Sequence, residues 1–305
     1  MTLKSPILAL LFLYTGLHSG QALDASQQPQ KTFADIPYGT HARHAIDFWK
    51  APGLGPKPLL IYIHGGGWIT GDKGQKMPDL QPFLTKGISC AAINYRLAPD
   101  YPLPAPVHDA ARAIQFFRLM ATAWDINPKR IALTAPNAGG CTALWLLLHD
   151  DLANPQGTNS LLRQSSRVCA AAVQVPQTSI NPKIITAWLG SNVLQHPMIF
   201  QSVGGKSRDD VLENEAKYQS LYLEFSPINH VDANDPPLFI TCSAEMGLPA
   251  RDASHGIHHP IFGVKLKERS DSVGHECHLL IPGFAKSPTY SDSTDFLLSK
   301  LLAPP

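Results

Sequence analysis

The chain has 305 residues, of which 44% are apolar and 16% charged, and its 25 Lys and Arg nearly balance its 24 Asp and Glu. That length suits one large α/β domain with a sizeable core, and the composition excludes an intrinsically disordered chain. A formal net charge of +1 leaves no basic footprint for a nucleic acid, so no nucleic-acid partner and no substrate selection by net charge are expected.

Lys4, the apolar run from Ile7 to Leu17, and the small residues Gly20 and Ala22 form the pattern of an export signal over residues 1–22. The apolar run is shorter than the ~20 residues that span a bilayer, so export (secretion or release to a periplasm) is expected rather than a membrane span. Residues 23–34 (LDASQQPQKTFA) are polar and aperiodic, as in a linker, and residues 35–305 read as one domain. Strands are predicted at HAIDFW (44–49), LLIYIH (59–64), ISCAAINY (88–95), RIALT (130–134), VCAAAVQV (168–175), LFITC (238–242) and VKLKE (264–268). Between them, Ala110, Ile114, Phe117 and Met120 recur at helical spacing, as do Tyr290, Thr294, Leu297, Leu298 and Leu301. Continuously apolar runs such as LLIYI are expected where helices cover both faces of a mostly parallel sheet. The less regular stretch 180–232 is a candidate cap. Cys90, Cys141, Cys169, Cys242 and Cys277 show no paired spacing and read as separate thiols acting as small hydrophobes.

His64-Gly65-Gly66-Gly67-Trp68 follows an apolar strand directly. Consecutive glycines let backbone N–H groups approach a ligand oxygen without interference from Cβ, which is the construction of an oxyanion hole. A second segment, Asn94-Tyr95-Arg96-Leu97-Ala98-Pro99, is followed by Tyr101-Pro102-Leu103-Pro104-Ala105 and by Asp109 on a helix; Arg96 and Asp109 are expected to pin loops beneath the site. Between strand RIALT and the next helix stands Ala135-Pro136-Asn137-Ala138-Gly139-Gly140, in the strand-turn-helix context of a nucleophile elbow.

With these motifs the chain, from about residue 36 to 302, resembles the HGGGW-bearing esterases and lipases of the hormone-sensitive-lipase and feruloyl-esterase-like (BD-FAE) groups. Pro128-Lys129-Arg130-Ile131 before the elbow and Asp235-Pro236-Pro237 before the acid strand strengthen the likeness. The resemblance implies an α/β-hydrolase fold with an eight-stranded, mostly parallel sheet, and a small-molecule ester or acylated carbohydrate as ligand. It puts Asn137 at the nucleophile position, Glu245 of Ser243-Ala244-Glu245-Met246-Gly247 at the acid, and His275, or alternatively His278, at the base. Gly65, Gly66 and Ala138 fall on the oxyanion hole. No cofactor is implied.

A carboxamide has no hydroxyl and no basic nitrogen lone pair, so Asn137 cannot form the usual acyl-enzyme. Asparagine tolerates positive φ, so the turn itself can persist. Thr134, Cys141 and Thr142 are the nearest hydroxyl or thiol groups, and their strand or helix offsets point them away from the turn. Ser254-His255-Gly256-Ile257-His258-His259 lacks the spacing of a zinc site and reads as a surface loop, so no metal is expected. Three functions stay open: an esterase with its serine chemistry lost or impaired, a non-catalytic ligand- or partner-binding protein, and an inactivated Ser→Asn variant of an active esterase.

Overall fold

The computed structural model describes residues 29–303, so the export signal expected at 1–22 lies outside the described residues. The strands are β1 (Phe33–Pro37), β2 (Ala45–Trp49), β3 (Lys57–Ile63), β4 (Ser89–Ile93), β5 (Ile126–Pro136), β6 (Ala170–Gln174), β7 (Leu238–Thr241) and β8 (Cys277–Leu280). They form one eight-stranded sheet in the order β1-β2-β4-β3-β5-β6-β7-β8. Pairing is antiparallel from β1 through β2 to β4 and parallel from β4 onward. The α/β fold expected from the sequence is therefore the one observed. β1 starts at Phe33, within the stretch read as a linker, and pairs with β2.

The helices are α1 (Gln81–Leu84), α2 (Ala105–Leu119), α3 (Asn137–Leu148), α4 (Pro182–Leu189), α5 (Met198–Gln201), α6 (Arg208–Glu213), α7 (Glu215–Glu224), α8 (Ala253–Ile257), α9 (Ile261–Val273) and α10 (Ser293–Leu302). They cover both faces, because alternate residues of each strand point to opposite sides. Leu59, Ile61 and Ile63 of β3 pack with Ile114 and Phe117 of α2, Leu144 and Leu147 of α3, and Leu266 of α9. Leu60 and Tyr62 pack on the other face with Phe83 of α1 and Phe296, Leu297 and Leu301 of α10. The stretch 180–232 is built of α4 to α7 and short 3-10 turns, inserted between β6 and β7.

One predicted strand is a helix. Residues 264–268 lie inside α9, whose buried residues Phe262, Leu266 and Ser270 recur every four positions. The Val-Lys-Leu-Lys alternation imitates a strand only locally, while the longer period follows the helix. Gly274, at φ 79°, ends α9 in the left-handed conformation that suits glycine. The five cysteines are all free thiols.

Candidate active site

The turn from β5 into α3 places Asn137 at φ 52°, a left-handed value that asparagine adopts more readily than most residues. Gly139 allows α3 to press against the loop leaving β3: a Cβ there would lie 2.3 Å from the Ile63 carbonyl oxygen and 2.4 Å from that of His64. The glycine loop can then fold back beside the turn. Gly66 and Gly67 have φ of 101° and 62°, and a Cβ on Gly66 would meet the Thr70 carbonyl oxygen at 2.3 Å. Trp68, wholly buried, anchors the loop by donating from Nε1 to Thr142 Oγ1 at 2.9 Å.

This loop aims two backbone donors at one atom. Asn137 Oδ1 accepts from the N–H of Gly66 at 3.2 Å and of Gly67 at 3.0 Å. The two donors fix the orientation of the carboxamide, since its NH₂ group could accept from neither. Asn137 Nδ2 therefore faces the other way and lies 2.7 Å from His258 Nε2. The amide nitrogen can only donate, so Nε2 accepts, and the ring proton sits on Nδ1, which donates to the Ser254 carbonyl at 2.8 Å. Burial, with the Lys76 charge nearby, holds the His258 pKa below its ordinary value despite that backbone bond, in keeping with a neutral ring.

His64 is a second neutral imidazole. Its Nε2 accepts from Arg43 Nη2 at 3.2 Å, so Nδ1 donates to the Gly65 carbonyl at 2.8 Å. Burial is the main reason its pKa falls to about 4. Tyr95 stacks on this ring at 4.2 Å between centroids and donates its hydroxyl to the His64 carbonyl at 2.7 Å.

Asn137 opens onto a cleft of about 430 Å³ at the C-terminal ends of the parallel strands, where ligands of open α/β sheets bind. Its lining includes Tyr62, Lys76, Val175, His196 and His258, and among these and the other lining residues only Lys76 carries a fixed charge. His196 comes from the inserted helical stretch, and its Nδ1 accepts from Met198 N at 3.2 Å. Val175 holds φ 42°, a left-handed value costly for a β-branched residue, directly after β6.

The residues singled out in the sequence are only partly brought together here. Gly66 donates to Asn137 as an oxyanion donor would, but its companion is Gly67; Gly65 contributes its carbonyl, which accepts from His64 and Tyr95. Ala138 is fully buried in the first turn of α3. Glu245 is far more open, with 58% of its side chain exposed and an ion pair to Arg251 at 3.2 Å.

His275 precedes β8 and so lies at the opposite edge of the parallel sheet from Asn137. It is buried, with Nε2 donating to the Pro236 carbonyl at 2.9 Å and Nδ1 3.0 Å from Ser270 Oγ. His278, within β8, bonds Glu276 and Ser287 and packs against Phe239. The histidine against Asn137 is instead His258, from the cluster read as a surface loop. The signal available in the sequence was chain order: the cluster follows β7, the strand whose C-terminal end faces the elbow.

Cys141 and Thr142, two of the three nearest thiol or hydroxyl groups, do not line the cleft. Cys141 Sγ lies 3.7 Å from the Phe225 carbonyl and burial raises its pKa, while Thr142 is committed to Trp68. Beneath the loops, Arg96 grips both carboxylate oxygens of Asp109 at 2.7 and 2.8 Å, and His44 Nε2 lies 3.1 Å from the same carboxylate.

The BD-FAE family model matches residues 47–246, which take in the glycine loop, the elbow and the strand after the inserted stretch. The probable carboxylic ester hydrolase LipM of Mycobacterium tuberculosis is 31% identical over 212 residues, 68% of this chain and 46% of that protein. The carboxylic ester hydrolase LipN of the same organism is 38% identical over 121 residues, 38% of this chain and 31% of that protein. The chain thus spans about half or less of the length of these curated relatives. Among solved structures, a truncated carbohydrate esterase from gut microbiota is similar in fold, with a TM-score of 0.69 at 18% identity over 92% of this chain and 99% of that one. The family match and the LipM likeness together place the chain in the BD-FAE family of α/β-hydrolase carboxylic ester hydrolases.

Proposed function

We propose that this chain is an esterase-family protein whose site is closed to acyl transfer, because Asn137 stands at the nucleophile position and its own carbonyl fills the oxyanion hole. The observation that carries this reading is the pair of bonds from Gly66 and Gly67 to Asn137 Oδ1 at 3.2 and 3.0 Å. Asparagine removes the attacking hydroxyl. An esterase without its nucleophile ordinarily keeps ~10³–10⁴-fold catalysis over water from the hole and from binding. Here that remainder is also curtailed, since a substrate carbonyl must first displace the carboxamide from both donors and from His258.

The site that remains is a cleft for a small ligand, an ester or acylated carbohydrate by kinship, held without turnover. The export signal read at residues 1–22 would place this site outside the cytoplasm; N-terminal sequencing of exported protein should then begin near Leu23.

Hydrolysis of short-chain p-nitrophenyl esters by the purified chain and by Asn137→Ser tests the reading. The chain as it stands should be at background. Asn137→Ser restores a hydroxyl next to His258 and vacates the hole, and should gain roughly 10²-fold, the lower range for general-base assistance, because His258 Nδ1 meets a backbone carbonyl and not a carboxylate. Robust turnover by the unmodified chain would refute a closed site.

A further inference from the structure

Asn137 sits in its own site as a substrate amide would. The carbonyl oxygen receives two backbone N–H groups, at 3.0 and 3.2 Å, and the amide nitrogen lies 2.7 Å from a neutral imidazole nitrogen. In amide hydrolysis the first is where charge develops, and the second is where the leaving amine takes its proton. Asn137 lines the open cleft, the side from which water would come. We propose that the folded chain hydrolyses the side chain of Asn137 to aspartate, a modification performed by its own oxyanion loop and His258. The proposal rests on the same placement of Asn137 as the proposed function.

The hydrogen bond from Asn137 Nδ2 to His258 Nε2 first gives way; water from the cleft then adds to Asn137 Cγ while the freed Nε2 takes one of its protons. The carbonyl electron pair moves onto Oδ1, where Gly66 and Gly67 hold the charge. His258 then passes the proton to Nδ2, the Cγ–Nδ2 bond breaks as the carbonyl re-forms, and ammonia leaves. One water is consumed and one ammonia released; the acid formed ionises and stays bound to the same two N–H groups, now by charge-assisted bonds. The common succinimide route to aspartate requires Ala138 N to attack Cγ. Ala138 lies in the first turn of α3 and the Asn137 carboxamide is held by Gly66, Gly67 and His258, so that ring closes only when the turn and those bonds give way.

The two routes leave different products, because a succinimide opens to a mixture of aspartate and isoaspartate whereas direct hydrolysis gives aspartate alone. The test is peptide-mapping mass spectrometry of the full chain, incubated at neutral pH in water labelled with heavy oxygen, beside a urea-unfolded sample and His258→Gln. Expected is a gain at residue 137, in the folded chain, of the mass of amide-to-acid conversion plus one labelled oxygen, with no isoaspartate. The rate should fall roughly 10²-fold in His258→Gln, and in the unmodified chain should fall as acid protonates His258.

The proposal is overturned if Asn137 survives in the folded chain as long as in the unfolded one, if isoaspartate forms, or if neither the substitution nor acid slows conversion. Ester turnover by freshly purified chain, with Asn137 intact by mass, bears on the proposed function alone, so the two readings fail separately.

Discussion

Asn137 Nδ2 and His258 Nε2 lie 2.7 Å apart although 121 residues separate them in the chain. Parallel strands produce that contact: β5 delivers Asn137 and the segment after β7 delivers His258 to the same C-terminal edge of the sheet. A neutral imidazole accepting from a carboxamide is a satisfied pair, so this arrangement costs little to keep.

The base of the re-armed site should be His258. In the Asn137→Ser background, His258→Ala should return ester hydrolysis to background, whereas His275→Ala should leave the turnover per folded molecule unchanged. The second substitution should instead cost about 1–3 kcal/mol of stability by leaving Pro236 O and Ser270 Oγ without their buried partner. Urea midpoints and p-nitrophenyl acetate kinetics on the same samples separate the two effects.

His64 should give the stability curve an acid limb. Its pKa is about 4 in the folded chain against an ordinary 6.5, chiefly through burial. The unfolded chain therefore takes up the proton below about pH 6.5, while the folded chain does not until about pH 4. Stability is full above that window, falls as pH drops through it, and levels off below, a loss of about 3 kcal/mol at ~1.4 kcal/mol per pH unit. Urea unfolding from pH 7.5 to 4 should show the slope, and His64→Gln should reduce it by about that amount.

Packing at the elbow predicts that two adjacent glycines differ. At Gly139 a methyl group meets two backbone carbonyls within 2.4 Å, so Gly139→Ala should destabilise by about 3 kcal/mol, the upper end of the range for overpacking. At Gly140 the nearest atom is Pro176 Cβ at 3.1 Å, and Gly140→Ala should cost about 1 kcal/mol or less. Thermal melts of the two variants test the ranking.

The two acidic residues read from the sequence should also separate. Asp109 is buried, and although burial raises its pKa, the Arg96 bonds and the His44 and Arg96 charges outweigh it and hold the carboxyl low. Asp109→Ala leaves Arg96 and His44 uncompensated and should cost about 3–5 kcal/mol. Glu245 is an exposed partner of Arg251, and Glu245→Ala should change stability by less than about 0.5 kcal/mol. In the Asn137→Ser background it should also leave ester hydrolysis unchanged.

Strands β2 to β7 were legible in the sequence because they are short apolar runs, and the glycine loop and elbow because each motif must follow a strand directly, whereas β1 began in the stretch read as a linker and β8 was not read at all. Residues 264–268 misled because Val264 and Leu266 alternate with lysines, and the buried positions that reveal α9, Phe262, Leu266 and Ser270, span more than that window. The histidine was harder to place. His275 and His258 both follow the acid strand in sequence, and only the knowledge that α9 intervenes shows that His275 enters β8 from the far edge. No pattern in the sequence announced that the Asn137 carboxamide would turn its oxygen toward Gly66 and Gly67; that depends on loop geometry fixed by Gly139, Trp68 and Tyr95 together.

Covalent titration with a fluorophosphonate ester, followed by intact mass and peptide mapping, addresses the closed site most directly, because such reagents report an activated nucleophile without requiring a particular substrate. The chain as it stands should take no adduct. Asn137→Ser should take one, at position 137, and should lose it when His258→Ala is added. An adduct on the unmodified chain at any residue lining the cleft would contradict the account, and so would an Asn137→Ser chain that folds but is not labelled.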